Sequence, residues 1–298
     1  EFISIFGNYK KPLIRIDLGG GVLTKGQVNP YVLHHTLNVW QSAHAAGKYA
    51  VEKYGKKVSV ISSIYDGGYH MSANFVKAYT DLGGEVSSFY VSPMDYKKEN
   101  FSVMIEGIQE AQPDVIFGIF SYKEANKVFG VLAKSDINGK IPLLVIPLMT
   151  DETINTEDHN INMVESIASW AFDEETKEMQ EYTQKHKEAY EDAPNIIGLL
   201  GYEVGLTLLA CISSEGKIAS NLSQTLLNKT INTPRGPLKY NKMNESQIEK
   251  FKLRKFQFNE TKYHNTVVDT LDASYSEELY KEFEGLPEPA WHNPYICT

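Results

Sequence analysis

The residues best placed to handle a small molecule in this sequence are hydroxyl and aromatic side chains that close apolar runs. Val58-Ser-Val-Ile-Ser-Ser-Ile-Tyr65 runs into Asp-Gly-Gly-Tyr69, so Tyr65 and Tyr69 bracket a small-residue turn. Asp114-Val-Ile-Phe-Gly-Ile-Phe-Ser-Tyr122 ends likewise in Ser121 and Tyr122. In a parallel sheet, ligands sit where the strands turn into the next helices. Tyrosine and serine at such positions bind by ring contact and hydrogen bonding. A nucleophile would need a base, and no motif around Ser121 pairs it with a histidine. Asp17 precedes Gly19-Gly20-Gly21, whose backbone amides could meet an anion or simply form a turn. His34 and His35 are adjacent, so on a strand or helix they point in different directions and do not readily share a metal. Asp151, Glu152, Glu157 and Asp158 make an acidic loop without a calcium-loop spacing. No phosphate loop or cofactor motif stands out, so the expectation is binding without a cofactor and not catalysis.

These groups need a scaffold, and the sequence supplies alternating strands and helices. Pro12–Asp17 reads as a strand, and a helix follows from about Val39 to Tyr54, with Trp40, Ala43, Gly47, Ala50 and Val51 at helical spacing and Gly55 closing it. Val58–Ile64, Glu85–Val91, Asp114–Phe120 and Ile141–Ile146 read as strands, separated by helices at Ser72–Leu82, Asn100–Ala111 and Lys123–Lys134. Asp114–Phe120 is almost continuously apolar, as in a strand covered on both faces. That order predicts an α/β domain with a doubly wound parallel sheet. Beyond Ile167–Phe172 the pattern changes to helices at Glu174–Tyr190, Ile197–Ile212 and Asn221–Asn228. These have too few strands of their own and must pack on strands supplied elsewhere, such as the first residues. Phe251–Phe258 and Tyr263–Leu271 read as a long hairpin, and Lys250–Lys255 as a strand with one wet face.

The chain has 298 residues, enough for two cores, and a formal charge of −9. The acidic balance argues against nucleic acid and anionic membrane surfaces as partners. No apolar run is long enough to span a bilayer, so direct membrane insertion is not expected. Cys211 and Cys297 are far apart in sequence; they either pair, stapling the C-terminal tail, or leave Cys211 as a small core residue.

Several stretches together resemble the type I periplasmic solute-binding proteins, specifically the branched-chain amino-acid-binding (Leu/Ile/Val-binding) family that serves ATP-driven importers. They are Asn29-Pro-Tyr-Val-Leu-His-His-Thr-Leu-Asn-Val-Trp40, Gly55-Lys-Lys-Val-Ser-Val-Ile-Ser62, the Tyr65–Tyr69 turn, Gly83-Gly84-Glu-Val86, Asn100-Phe-Ser-Val-Met-Ile105, Gln112-Pro-Asp-Val-Ile116, Thr233-Pro-Arg-Gly-Pro-Leu-Lys-Tyr240 and Trp291-His-Asn-Pro-Tyr-Ile-Cys297. The likeness covers nearly the whole chain. It implies a two-lobed fold with residues 1–30 as a remnant of an incomplete first lobe and 31–170 as the second lobe. Residues 171–248 would return to the first lobe, and 249–298 would form the last crossing, hairpin and tail. It further implies a small polar or amino-acid-like solute bound in a cleft between the lobes, a membrane permease as partner, and a periplasmic or extracellular site of action after removal of a signal peptide. The alternative within the same fold is a ligand-sensing ectodomain or regulator. The resemblance carries ligand contacts to Tyr65, Tyr69, Ser121 and Tyr122. At the third strand end, Leu148 stands near an acid that amino-acid binders use for the ammonium group, with Thr150 beside it. Trp170 falls at a crossing between lobes, as pocket wall or hinge packing, and Asp17 at another.

Overall fold

The computed structural model describes residues 2–153, 160–273 and 277–283, and the statements below concern those residues. In chain order the first elements are α1 (Phe2–Asn8), β1 (Leu13–Asp17), β2 (Val32–Thr36), α2 (Val39–Lys53), β3 (Lys57–Ser62), α3 (Met71–Asp81) and β4 (Glu85–Val91). Next come α4 (Ser102–Ala111), β5 (Val115–Ile119), α5 (Tyr122–Ala133), β6 (Leu143–Val145), β7 (Val164–Ala168), α6 (Lys177–Tyr190) and α7 (Ile196–Ala210). The last are α8 (Leu222–Leu226), β8 (Ile231–Thr233), β9 (Gly236–Tyr240), β10 (Ser246–Ile248), β11 (Lys250–Phe258), β12 (Tyr263–Asp272) and α9 (Glu277–Glu282). The contacts divide these residues into two units.

The larger unit holds Val39–Ala168 and Lys252–Leu271. Its sheet has the order β12-β11-β7-β6-β5-β3-β4. From β4 to β7 neighbouring strands run parallel, and β11 closes against β7 in the opposite sense, with Lys252 opposite Ala168 and Phe256 opposite Val164. The expected doubly wound α/β sheet is therefore present. β5 is buried along its whole length because helices cover both faces. Phe75 of α3 stacks on Phe117 of β5, with ring centroids 3.6 Å apart, tying that helix to the sheet centre. α2 lies against α3 where Gly47 faces the backbone carbonyl of Phe75; a Cβ there would meet that oxygen. The strand order reverses at β3, whose neighbours are β4 on one side and β5 on the other. Such a reversal opens a crevice at the carboxyl ends of the two diverging strands.

The smaller unit holds 1–38, Ser169–Phe251 and the described residues of 272–285. Its β1 and β2 pair in parallel, Leu13 opposite Val32 and Asp17 opposite Thr36, while β8, β9 and β10 form an antiparallel sheet in which β9 is central. Leu33 of β2 packs with Cys211, Leu222, Leu226, Ile231 and Leu238, and Ile14 and Leu206 lie against them. The later helices thus rest partly on β2, drawn from the start of the chain, and partly on β8 and β9 from their own stretch, which, against expectation, forms a three-stranded sheet with β10.

Four strands escape the sequence reading. β2 carries His34 and His35 in a run without alternation, β7 (Val164-Glu-Ser-Ile-Ala168) is a short mixed run where only a change of pattern is visible, and β8 and β10 have three residues each. A further difference concerns β11. It is a strand, but its basic face is not wet, because Lys252 and Arg254 are buried. β11 sits between β7 and β12 rather than at an edge, so the Arg254 guanidinium turns inward and donates to Ser166 Oγ (3.0 Å) and Thr150 Oγ1 (3.0 Å). Cys211 is buried in the smaller unit's core. Cys297, and with it the question of pairing, lies outside the described residues, as do Glu157 and Asp158.

Candidate functional site

Where β3 and β5 diverge, the larger unit carries an open cleft of about 610 Å³ lined by Ser63, Tyr65, Asp66, Tyr96, Ser121, Tyr122, Lys123, Glu124 and Thr153. Three of the expected site residues, Tyr65, Ser121 and Tyr122, meet here. The Tyr65 ring is held at its tip by a hydrogen bond from its hydroxyl to the Met94 carbonyl (3.1 Å), and at its base by its amide bonding to Ser63 Oγ (3.1 Å). Tyr122 opens α5 with φ of 51°, in the left-handed region that side chains other than glycine enter at a cost of about 1 kcal/mol or more. Its side chain stays exposed. Backbone strain kept at a cleft lip is the pattern expected where position matters more than local stability.

Ser121 precedes α5 with extended backbone, where a serine usually caps the helix, yet it makes no side-chain cap. Its hydroxyl is directed instead at both carboxylate oxygens of Asp66 (3.0 and 3.1 Å). Burial drives the Asp66 carboxyl up to about 7, the Ser121 hydrogen bond opposes that rise, and the charge of Glu124 adds to it. Glu124 is buried in the first turn of α5, accepting from Ser63 Oγ (2.8 Å) and from Ser92 Oγ. Desolvation raises its pKa too, against the lowering effect of those two hydroxyls and of Lys127. The Lys127 ammonium is itself engaged, donating to the carbonyls of Tyr96 (2.9 Å), Lys97 (2.9 Å) and Glu99 (2.6 Å). Neither acid is conspicuous in the sequence. Asp66 is flagged only by its place between Tyr65 and a Gly-Gly turn, and Glu124 only by falling one turn into the helix after Ser121.

The remaining expected residues lie apart from this cleft. Tyr69 is on the same turn but not in the lining, its amide bonded to the Asp66 carbonyl (3.2 Å). Leu148 and Thr150 are buried; the Thr150 hydroxyl is within hydrogen-bonding distance of the Pro147 carbonyl (3.2 Å) and Ser166 Oγ (3.0 Å). Thr153, three residues on, is the one that reaches the cleft from that strand end. Trp170 is buried in the smaller unit. Asp17, in the same unit, is held by Arg15 Nε (2.8 Å) and by the Gly19 amide (2.7 Å), which makes the Asp17–Gly19 segment a closed turn. Among the described residues no cluster of His, Cys, Asp or Glu has metal-binding geometry.

The smaller unit contains a second polar constellation that sequence reasoning misses altogether. Glu203 of α7 is fully buried and accepts from Arg235 Nε (3.0 Å) and Nη2 (2.6 Å), with His35 Nε2 3.0 Å away. His35 Nδ1 lies 2.9 Å from the Tyr240 hydroxyl, and Arg235 Nη1 reaches Ser169 Oγ (3.0 Å) and Asn38 Oδ1 (3.4 Å). Burial pushes the Glu203 carboxyl up, but the Arg235 charge and the bonds from His35 and Arg235 outweigh it and hold the group down to about 2. Its interior position and closed set of partners give it the form of a structural pin.

The larger unit is thus an α/β sheet with its cleft at a strand-order reversal, where hydroxyls are paired with carboxylates. The comparisons agree: the chain belongs to the periplasmic binding protein family, whose model matches residues 4–259. The Leu/Ile/Val-binding protein homolog 6 of Brucella abortus is 29% identical over 89 residues, 30% of this chain and 22% of that relative. The chain thus matches about a fifth of the length of that curated relative. Among solved structures, a substrate-binding protein of an ABC transporter from Sphaerobacter thermophilus superposes with a TM-score of 0.79 at 18% identity, covering 91% of this chain and 76% of that one. A solute-binding protein of an ABC transporter from R. palustris, in complex with benzoate, gives 0.73 at 21% identity over 89% and 72%. The leucine-, isoleucine-, valine-, threonine- and alanine-binding protein of Brucella ovis gives 0.67 at 15% identity over 87% and 69%. These likenesses establish a type I periplasmic-binding-protein fold. Family and neighbours are binding proteins, not enzymes.

Proposed function

We propose that this chain binds a small polar or amino-acid-like solute in the periplasm and presents it to the permease of an ATP-driven importer. The observation that carries the reading is the cleft at the β3/β5 divergence, where exposed tyrosines and interior hydroxyls and carboxylates converge at parallel strand ends. A similar structure holds benzoate and another is named for binding leucine, isoleucine, valine, threonine and alanine, which supports a small organic solute. The test is thermal unfolding against a library of amino acids, amines, organic acids and sugars. A ligand present at a hundred times its Kd stabilises by ~2.7 kcal/mol, or several degrees. A selective shift supports the role, and a flat response across the library refutes it.

A second reading, a ligand-sensing ectodomain of the same fold, draws on α7. That helix is apolar on nearly all sides, and among the described residues Ile197 and Leu209 remain 65% and 64% exposed on it. Such a face suits a protein whose readout is association with another chain. Sedimentation with and without ligand separates the two: a ligand-dependent change in mass favours sensing, an unchanged monomer favours transport.

A further inference from the structure

Within the cleft, the distribution of charge says more about the solute than its size does. The start of a helix attracts anions, through unpaired amides and the axial dipole. At the start of α5 stand the protein's own acids: Asp66 is bonded to Ser121, which precedes the helix, and Glu124 lies in the first turn. An incoming carboxylate would come up against these two acidic groups. The Glu124 oxygens have hydroxyl donors from two sides. Asp66 is served by one hydroxyl divided between its two oxygens, so it retains unused acceptor capacity toward the cleft. The neighbouring cations do not supply the deficit. Lys127 is committed to three carbonyls and stands 5.5 Å from the Phe101 ring centroid, Lys98 pairs with Asp95 (2.7 Å), and Lys123 is exposed at the rim. Tyr65, Tyr96 and Tyr122 border the same space, and aromatic faces attract cations.

Resting on the solute-binding role proposed above, we infer that the cleft takes a solute with a cationic nitrogen head group, paired with Asp66 and flanked by the rings of Tyr65 and Tyr122. The counter-charge for an ammonium group then comes from the first strand end, and the apolar Leu148 at the third is no obstacle.

Two groups act on Asp66 directly, the Ser121 hydroxyl before α5 and the Glu124 charge within it; Tyr65 from its own turn, Tyr96 from the loop after β4, Tyr122 and Lys123 from α5, and Thr153 from the segment after β6 line the same cleft. With its carboxyl near 7 in the free protein, Asp66 must lose a proton before it can pair with a cation. Binding of a permanent cation therefore strengthens as pH rises from 6 to 8, by about tenfold.

The experiment is calorimetry and thermal shift on the full chain with a shape-matched series: benzylamine, benzyl alcohol and benzoate, with agmatine and choline as aliphatic cations. The expected result is binding by members of the cationic set, about tenfold stronger at pH 8 than at pH 6. Asp66→Asn should weaken it at least tenfold, and Tyr122→Ala several-fold, with both variants folded by circular dichroism. Binding of benzoate or benzyl alcohol with no response to any cation overturns the inference and leaves the solute-binding role standing. Binding of a cation that Asp66→Asn and Tyr122→Ala leave unchanged overturns the assigned site. Silence from this series and from the whole solute library overturns the inference and the role together.

Discussion

The Glu203–Arg235–His35 cluster supports a quantitative prediction for Glu203→Gln. The carboxyl is held at about 2 against an ordinary 4.5, and at ~1.4 kcal/mol per pH unit that drop corresponds to about 3 kcal/mol of stability at neutral pH. The sign follows from the folded value lying below the unfolded one. The stabilisation is complete above about 4.5 and is lost as pH falls from there through about 2. Glutamine keeps the shape but strands the buried Arg235 guanidinium without its counter-charge, an arrangement that costs ~3–5 kcal/mol in other proteins. The variant should therefore unfold at lower urea, with a loss of about 3 kcal/mol at pH 7, or very roughly 6–12 °C in Tm. It should also lose less further stability than the parent between pH 4.5 and 2, because the group responsible is gone. The assay is urea unfolding followed by tryptophan fluorescence at a series of pH values. Replacing both partners, Glu203→Leu with Arg235→Met, should recover much of the loss, since no charge is left orphaned. A Glu203→Gln variant within ~1 kcal/mol of the parent, with a parallel acid limb, would refute the reasoning.

Three smaller perturbations test the scaffold around the cleft. Gly47→Ala should destabilise by ~1–3 kcal/mol in urea melts, because the added methyl meets the Phe75 backbone carbonyl and α2 must back away from α3. Tyr122→Gly should leave Tm unchanged or raise it slightly, by relieving a positive φ worth ~1 kcal/mol, while weakening ligand binding; a fall in Tm would show that the tyrosine is there for packing. Arg254→Lys should cost ~1–3 kcal/mol, since an ammonium cannot reproduce the paired approach of Nε (3.2 Å) and Nη2 (3.0 Å) to Ser166 Oγ while Nη2 also serves Thr150 from the interior of the sheet.

What the sequence discloses here follows the range of the interactions involved. β5 is legible because burial on both faces forces a continuous apolar run, β3 because Val58, Val60 and Ile61 are broken only by small serines, and the turns beyond them because small residues and tyrosines cluster there. Tyr65, Ser121 and Tyr122, which close these strands, line one cleft in the fold. β2 and β7 are obscure because their polar residues are satisfied by distant partners. His35 needs Glu203 and Tyr240, and Ser166 needs Arg254 and Thr150. A buried polar side chain looks like a surface one until its partner is known. The same logic explains β11, whose Lys252 and Arg254 imitate a solvated face while lying inside a sheet.

The two acids of the cleft show where this limit touches function. A carboxylate in a turn or at the start of a helix is ordinarily solvated, so Asp66 and Glu124 carry no signal in isolation. What distinguishes them is relational: Ser121 directs its hydroxyl to Asp66 instead of capping α5, and Ser63 and Ser92 converge on Glu124 from the ends of β3 and β4. Removing a serine hydroxyl from its capping role forgoes ~1 kcal/mol of helix stability, and keeping Tyr122 at positive φ forgoes a similar amount. Both losses fall on consecutive residues at the lip of one cleft. Folding alone does not require either, and both are accounted for if the end of β5 is shaped to hold Asp66 and a tyrosine ring against a bound solute.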